Sequence, residues 1–345
     1  MFAKVNAPFS MLSEELDVYL SKGWFRMGQS VFTTNFLNFK SQFYSAIWLR
    51  IDLKDYLPDS TFLKLKKLNS SFKIQIGSYT LNQEKEELFA KYRKSVAFDA
   101  SDSLQSQLFG NSTNIDSVFD THEVCIYEGD KLIAAGFFDI GNDTAAGISS
   151  FYDPEYKKNS LGKYIIYLKI AYCTKLGLNY FYPGYFVPGY EAFNYKLDIN
   201  RKALQFLSLV NDKWLAISNY SEDYNLFQEI DAKLKLLQVE LALQNVKSQL
   251  FNYEYFQSNM VHELTKYDLF DYPIFLYCFD LGNRQIKPIL VYDILDKEYK
   301  LLECRSVWET FEPNEKPDTF STHLLKIDQV FFTTNQASIM AKKLN

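Results

Sequence analysis

At 345 residues the chain is long enough for about two domains, and its 47% apolar and 23% charged residues exclude a disordered protein. With 37 basic against 42 acidic residues the formal charge is −5, so any nucleic-acid site must be a local basic patch and not a whole basic surface. The four cysteines (Cys125, Cys173, Cys278, Cys304) lie far apart without a CxxC pair, which excludes a metal or iron–sulfur site built from local cysteine pairs.

Leu16–Leu20 reads as a short helix leading to Gly23, followed by strand-like segments at 23–36 and 43–53. Residues 57–72, with Lys64, Lys66 and Lys67, read as a polar connection. A helix is expected over 80–96, capped by Thr80 or Asn82, with acids in its first turn and Lys91, Arg93 and Lys94 in its last. A polar stretch (99–118) reads as surface loop with a short helix. Three strands follow at 121–128, 131–140 and 144–152, joined at Gly129-Asp130 and at Gly141-Asn142-Asp143. A helix from Leu161 to Leu176 shows an apolar stripe of Leu161, Ile165, Leu168, Tyr172 and Leu176, with Asn159 or Ser160 as cap and Gly177 beyond its end. A fourth strand is expected at 178–186.

This order is the core of an acetyltransferase-like (GNAT) fold, in the α/β (α+β) class: a mixed sheet with flanking helices. One long helix is expected over 222–257, with two apolar stripes and so two packing faces. Strands at 273–281, 286–295 and 298–307 complete an antiparallel extension. The expected units are an N-terminal domain (1–78), a transferase-like domain (79–215) and a C-terminal extension (216–345). No apolar run of about 18 residues occurs and the first ten residues lack a signal-peptide core, so a soluble cytoplasmic protein with reduced thiols is expected.

Residues 149–186 carry an ordered set of short motifs. These are Phe151-Tyr152-Asp153-Pro154, Ser160-Leu161-Gly162 and Tyr182-Pro183-Gly184-Tyr185, with Tyr195-Lys196 beyond them. In this order they resemble the arginyl-tRNA–protein transferase family, and GWFRMGQSVF (23–32) and WLRI (48–51) resemble its N-terminal domain. Three departures stand out. The family's N-terminal cysteine cluster is missing, since no cysteine precedes Cys125. Lys169 stands where the family usually has an acidic residue. The segment 186–193 lacks the usual His, Ser, Cys and Lys-Met.

The resemblance implies transfer of an aminoacyl group, of the arginine or leucine class, from charged tRNA to the N-terminal amine of a protein or peptide. The ester is already activated, so neither a metal nor another cofactor is required. The site must position two substrates, take a proton from the amine and stabilise an oxyanion. Tyr152, Asp153 and Tyr185 are the candidate catalytic residues. Arg26, Arg50, Ser149, Ser150, Ser160, Gly162, Lys163, Tyr182 and Lys196 are the candidate substrate-binding residues. The main chain of Gly147–Ser150 supplies oxyanion donors if that strand splays or bulges. The helix start at 158–163 forms an anion cradle for the tRNA 3′ end, with Lys157 and Lys158 adding charge. Arg26 and Arg50 sit in apolar strands, where each needs a carboxylate partner or else serves to hold an acidic side chain or a phosphate. Two rival readings are an acyl-CoA-dependent N-acyltransferase, for which the single glycine of 158–163 is a weak signal, and an inactive peptide- or tRNA-binding homologue. No membrane partner is expected, and nothing in the sequence sets the oligomeric state.

Overall fold

The structure, a computed structural model, describes residues 2–39, 42–54, 56–96, 101–110, 116–221, 224–279, 286–310 and 316–345. Parts of the expected 99–118 loop, the first two residues of the expected 222–257 helix and the end of the expected 273–281 strand lie outside them.

The three expected strands form as Thr121–Glu128, Lys131–Ile140 and Thr144–Tyr152, an antiparallel meander closed by tight turns. Alternation decides which helix each strand residue meets. Val124, Ile126, Ile133 and Phe138 pack on the helix Leu161–Lys175 through its Leu161, Ile165 and Ile170. Cys125, Leu132, Phe137 and Phe151 face the helix Gln83–Arg93 through Leu88 and Phe89. That second helix is capped by the Asn82 side chain, which accepts from the Lys85 N–H. The meander is thus a layer between two helices, with apolar residues on both faces.

Among the described residues the sheet has eight strands. Sequence-distant segments complete it: Ile47–Asp52 lies between Tyr180–Phe186 and Leu204–Ser208, and Lys73–Ser78 pairs with Thr121–Glu128 at the edge. The expected boundary near residue 78 therefore falls within one sheet. The mixed sheet with helices on both faces is the acetyltransferase-like architecture that the element order indicated.

Residues 57–72 are not a plain polar connection. Asp59 caps a helix, Ser60–Leu68, by accepting from the Phe62 N–H, and Phe62 and Leu65 bury one turn apart while the lysines face water. The single long helix expected over 222–257 is also corrected. It runs only over Leu226–Leu243, and the chain then turns at Asn245 (φ 59°) into the strand Ser248–Tyr253. Its stripe of Ile230, Leu234, Leu237 and Leu241 is buried, whereas Val239 and Leu243 are exposed, so it has one packed face and not two. It covers a six-stranded sheet in which the long strand Glu298–Glu309 pairs with His323–Thr334, a strand the sequence reading had missed. Among the described residues no helix is long and apolar enough to cross a membrane.

Candidate functional site

The site arises from a failure of strand pairing. Thr144–Tyr152 runs antiparallel to Lys131–Ile140 nearly to its end, but it pairs in parallel with Tyr180–Phe186 only over Thr144–Ala146. At Gly147/Ser149 its register shifts by a bulge, and the neighbouring strand is irregular between Phe181 and Gly184. Beyond Ala146 the two strands part, and a cavity of about 280 Å³ occupies the gap. Gly147–Ser150 line one side and Phe181, Pro183, Gly184 and Tyr185 the other. Phe25, Phe32, Ile166 and Phe193 add apolar wall. The splay that the sequence reading required is present, and the gap is open.

Two lysines reach this cavity. Lys169, from the helix Leu161–Lys175, is buried, and its Nζ donates to the Phe137 carbonyl (2.9 Å), the Ser149 carbonyl (2.5 Å) and the Ser150 hydroxyl (3.1 Å). Phe137 and Ser149 are the partners at which the ladder resumes after the bulge. The ammonium therefore satisfies carbonyls at the irregularity, and Gly136 makes room for it, since a Cβ there would lie 3.0 Å from Nζ. Burial pushes its pKa down to about 7.

Lys196 is positioned differently. Its Nζ donates to the Tyr185 carbonyl (2.7 Å) and lies 5.5 Å and 5.2 Å from the ring centres of Tyr185 and Phe193. Burial pushes it, too, down to about 7. Tyr185 packs edge-on against Trp48 and stacks on Phe193, and burial raises its hydroxyl pKa.

Of the candidate residues, Ser149, Ser150, Tyr185 and Lys196 thus meet at one cavity. Of the others, Arg26 also lines the cavity, but its guanidinium is consumed in a buried pair with Asp139 (2.8 Å) and further bonds to Thr121 and the Leu108 and Gly28 carbonyls. Asp139 nevertheless has a raised pKa, because complete desolvation outweighs the Arg26 charge. Arg50 lies over the rings of Tyr180 and Trp214 and donates to Gln205 (2.7 Å). Tyr182 is buried among Leu16, Leu20 and Val31, on the opposite side of its strand from Phe181, Pro183 and Tyr185. Asp153 is held by Lys91 (2.7 Å) and Lys131 (3.0 Å) and is not among the residues lining the cavity. Tyr152 packs against Tyr92 and beside Gly162. Ser160 is the left-handed cap (φ 51°) of the Leu161–Lys175 helix, whose first turn holds Gly162 and Lys163, away from the cavity lining. The sequence reading noted Lys169 only as a departure from the family. An amine in an apolar helix stripe was the available signal of a buried acceptor cluster. Among the described residues no group of three or more His, Cys, Asp or Glu is placed to hold a metal.

Residues 84–206 match the family model of the arginine-tRNA-protein transferase C terminus. The aspartate/glutamate leucyltransferase of Leptospira interrogans serogroup Icterohaemorrhagiae serovar copenhageni is 28% identical over 223 residues, 64% of this chain and 85% of that protein. The enzyme of the same name from Pseudomonas aeruginosa (strain LESB58) is 24% identical over 180 residues, 50% of this chain and 72% of that one. Residues 84–206 are thus similar to the C-terminal domain of aminoacyl-tRNA–protein transferases.

Among solved structures, an aminoglycoside acetyltransferase from an uncultured soil metagenomic sample overlaps 39% of the chain and 89% of its own length, at 17% identity and a TM-score of 0.24. A GCN5-related glucosamine N-acetyltransferase region of a fungal β-N-acetylglucosaminidase overlaps 50% of this chain and 20% of that one, at 12% identity and a TM-score of 0.27. The sheet that holds the matched segment is completed by Ile47–Asp52 and Lys73–Ser78, which precede that segment, so the two parts fold together. The six-stranded sheet and its helix lie wholly beyond residue 206.

Proposed function

We propose that the protein moves an aminoacyl group from a charged tRNA to the N-terminal amine of a polypeptide, with the acyl carbon seated in the gap between Thr144–Tyr152 and Tyr180–Phe186. The observation that carries this reading is the open cavity at that divergence, lined mostly by residues of the segment that matches the transferase family. Gly147–Ser150 line it without pairing to the Tyr180–Phe186 strand, so in this reading their main-chain N–H groups receive the oxyanion. The tRNA 3′ end would lie toward the helix start at Ser160–Lys163, where the first-turn N–H groups and Lys157, Lys158 and Lys163 favour phosphate.

The cavity's chemistry supports a donor of the leucine class over arginine. Its walls are largely aromatic and aliphatic, and among the described lining residues there is no carboxylate to pair with a guanidinium. The relatives' name adds acceptors beginning with Asp or Glu. A tRNA donor and four buried free thiols fit a cytoplasmic location.

The test is a transfer assay. Purified protein is incubated with leucyl- or arginyl-tRNA and peptides beginning with Asp, Glu, Lys or Arg, and products are read by mass spectrometry. The expected product carries one added leucine on the acidic peptides. Transfer from arginyl-tRNA alone would overturn the donor assignment, and absence of transfer from every pair would overturn the reaction.

A further inference from the structure

The proposed reaction needs a group that accepts the proton of the attacking amine. Among the described residues lining the cavity there is no carboxylate, histidine or thiol. The titratable and charged groups facing it are Tyr185 and Lys196 from the strand and turn on one side, Tyr195 beside them, Lys169 from the helix, and Arg26. Burial raises both tyrosines above their ordinary value, so neither supplies a phenolate near neutrality. Arg26 is fully engaged by Asp139 and three other acceptors. Lys169 faces three oxygens, which take up the donor capacity of its nitrogen.

Lys196 alone has a different balance. It has one hydrogen-bond acceptor among the described residues, the Tyr185 carbonyl, and no ion pair with a carboxylate. Two aromatic rings take up the rest of its near surroundings. One N–H bond fixes the nitrogen's position and leaves the lone pair of its neutral form free. Gly184 permits this placement, because a Cβ there would come within 3.2 Å of Nζ, and its φ of 86° suits glycine. The Tyr-Pro-Gly-Tyr and Tyr-Lys motifs are therefore two halves of one arrangement.

We propose that Lys196 is the general base of the aminoacyl transfer, a role that rests on the reaction proposed above. The neutral Nζ takes a proton from the acceptor's amine as its nitrogen bonds to the ester carbon. The resulting ammonium then gives that proton to the ribose oxygen as the carbon–oxygen bond breaks. The products are the amide and the free tRNA hydroxyl, and Lys196 is returned neutral. A lysine pushed down to about 7 by burial is suited to both steps near neutral pH.

The experiment is single-turnover transfer by the full chain with saturating charged tRNA, comparing wild type with Lys196→Met and Lys196→Arg. Circular dichroism and melting confirm that each variant is folded. Both variants are expected to lose about 10²–10⁴-fold in rate with the peptide KM little changed. The wild-type rate should rise through a transition near pH 7, and the residual rates of the variants should lack it. A lysine that merely contacted tRNA phosphate would be replaced by arginine at little cost, and its loss would raise the KM for tRNA. Wild-type-like turnover by Lys196→Arg, or by a folded Lys196→Met, would overturn the role while leaving the reaction standing. No transfer by the wild type with any substrate pair would overturn the reaction and this role with it.

Discussion

The Lys169 ammonium lies 2.5 Å from the carbonyl of Ser149, the residue at which its strand resumes pairing after the bulge. The contact makes a helix side chain part of the strand ladder. Lys169→Met leaves the Phe137 and Ser149 carbonyls without this donor, and such a loss costs about 1–3 kcal/mol per buried group. Lys169→Glu should be worse, because a carboxylate would face oxygens. Folded Lys169 titrates near 7 and unfolded lysine near 10.5, so over that window the unfolded chain binds more protons. Wild-type stability from this group therefore rises with pH, and the deficit of Lys169→Met should widen from pH 7 to 9. Urea unfolding at both values measures it, and an equally stable Lys169→Glu protein would refute the assignment.

Gly184→Ala tests the same site from its other side. The new methyl must occupy a left-handed conformation and press on Lys196 Nζ. The strain is about 1–2 kcal/mol, small enough for the protein to fold. Transfer should fall at least tenfold, with the melting temperature only modestly lowered. Normal transfer by Gly184→Ala would show that the position of Lys196 Nζ does not matter.

Arg26 and Asp139 are both almost fully buried, at 1% and 0% side-chain exposure. Removing one partner of such a pair strands the other charge. Arg26→Met is therefore expected to destabilise by about 3–5 kcal/mol in urea unfolding. A stable Arg26→Met variant that lost only transfer would instead make Arg26 a substrate group.

How much of this was legible in the sequence follows from how local each determinant is. The 121–152 meander was read at its true boundaries because its turn residues and alternation lie within each hairpin. The place of Ile47–Asp52 was not legible, because its partners Tyr180–Phe186 and Leu204–Ser208 are far along the chain. The helix expected over 222–257 ran too far because Leu and Val continue past its true end, and the stop depends on Asn245 adopting a left-handed turn. In the site, the motif spacing located the diverging strands but not their facing. Tyr182 and Tyr185 are both motif tyrosines, yet Tyr182 shares the Leu16 side while Tyr185 joins Phe181 and Pro183 at the cavity. Lys196 was visible as a motif residue, but its neighbours Tyr185 and Phe193 meet it only through the fold.

Asp153 closes the comparison, because its motif suggested catalysis and its surroundings indicate scaffolding. Its carboxylate meets Lys91 at 2.7 Å and Lys131 at 3.0 Å and accepts from the Glu155 N–H at 3.1 Å. Desolvation raises its pKa, but the hydrogen bonds from Lys91, Glu155 and Lys131 outweigh that and hold it below the ordinary carboxylate range. The folded pKa is depressed, so the stabilisation is present above the unfolded value, about 3.9, and is lost as pH falls through the folded one. Asp153→Asn should therefore lower the melting temperature at pH 7 and converge on wild type in strong acid. Both lysines are half exposed, so added salt should reduce the difference. The folded variant should transfer at nearly the wild-type rate, since Asp153 does not line the cavity. A loss of transfer of 100-fold or so with unchanged melting behaviour would return Asp153 to the catalytic machinery.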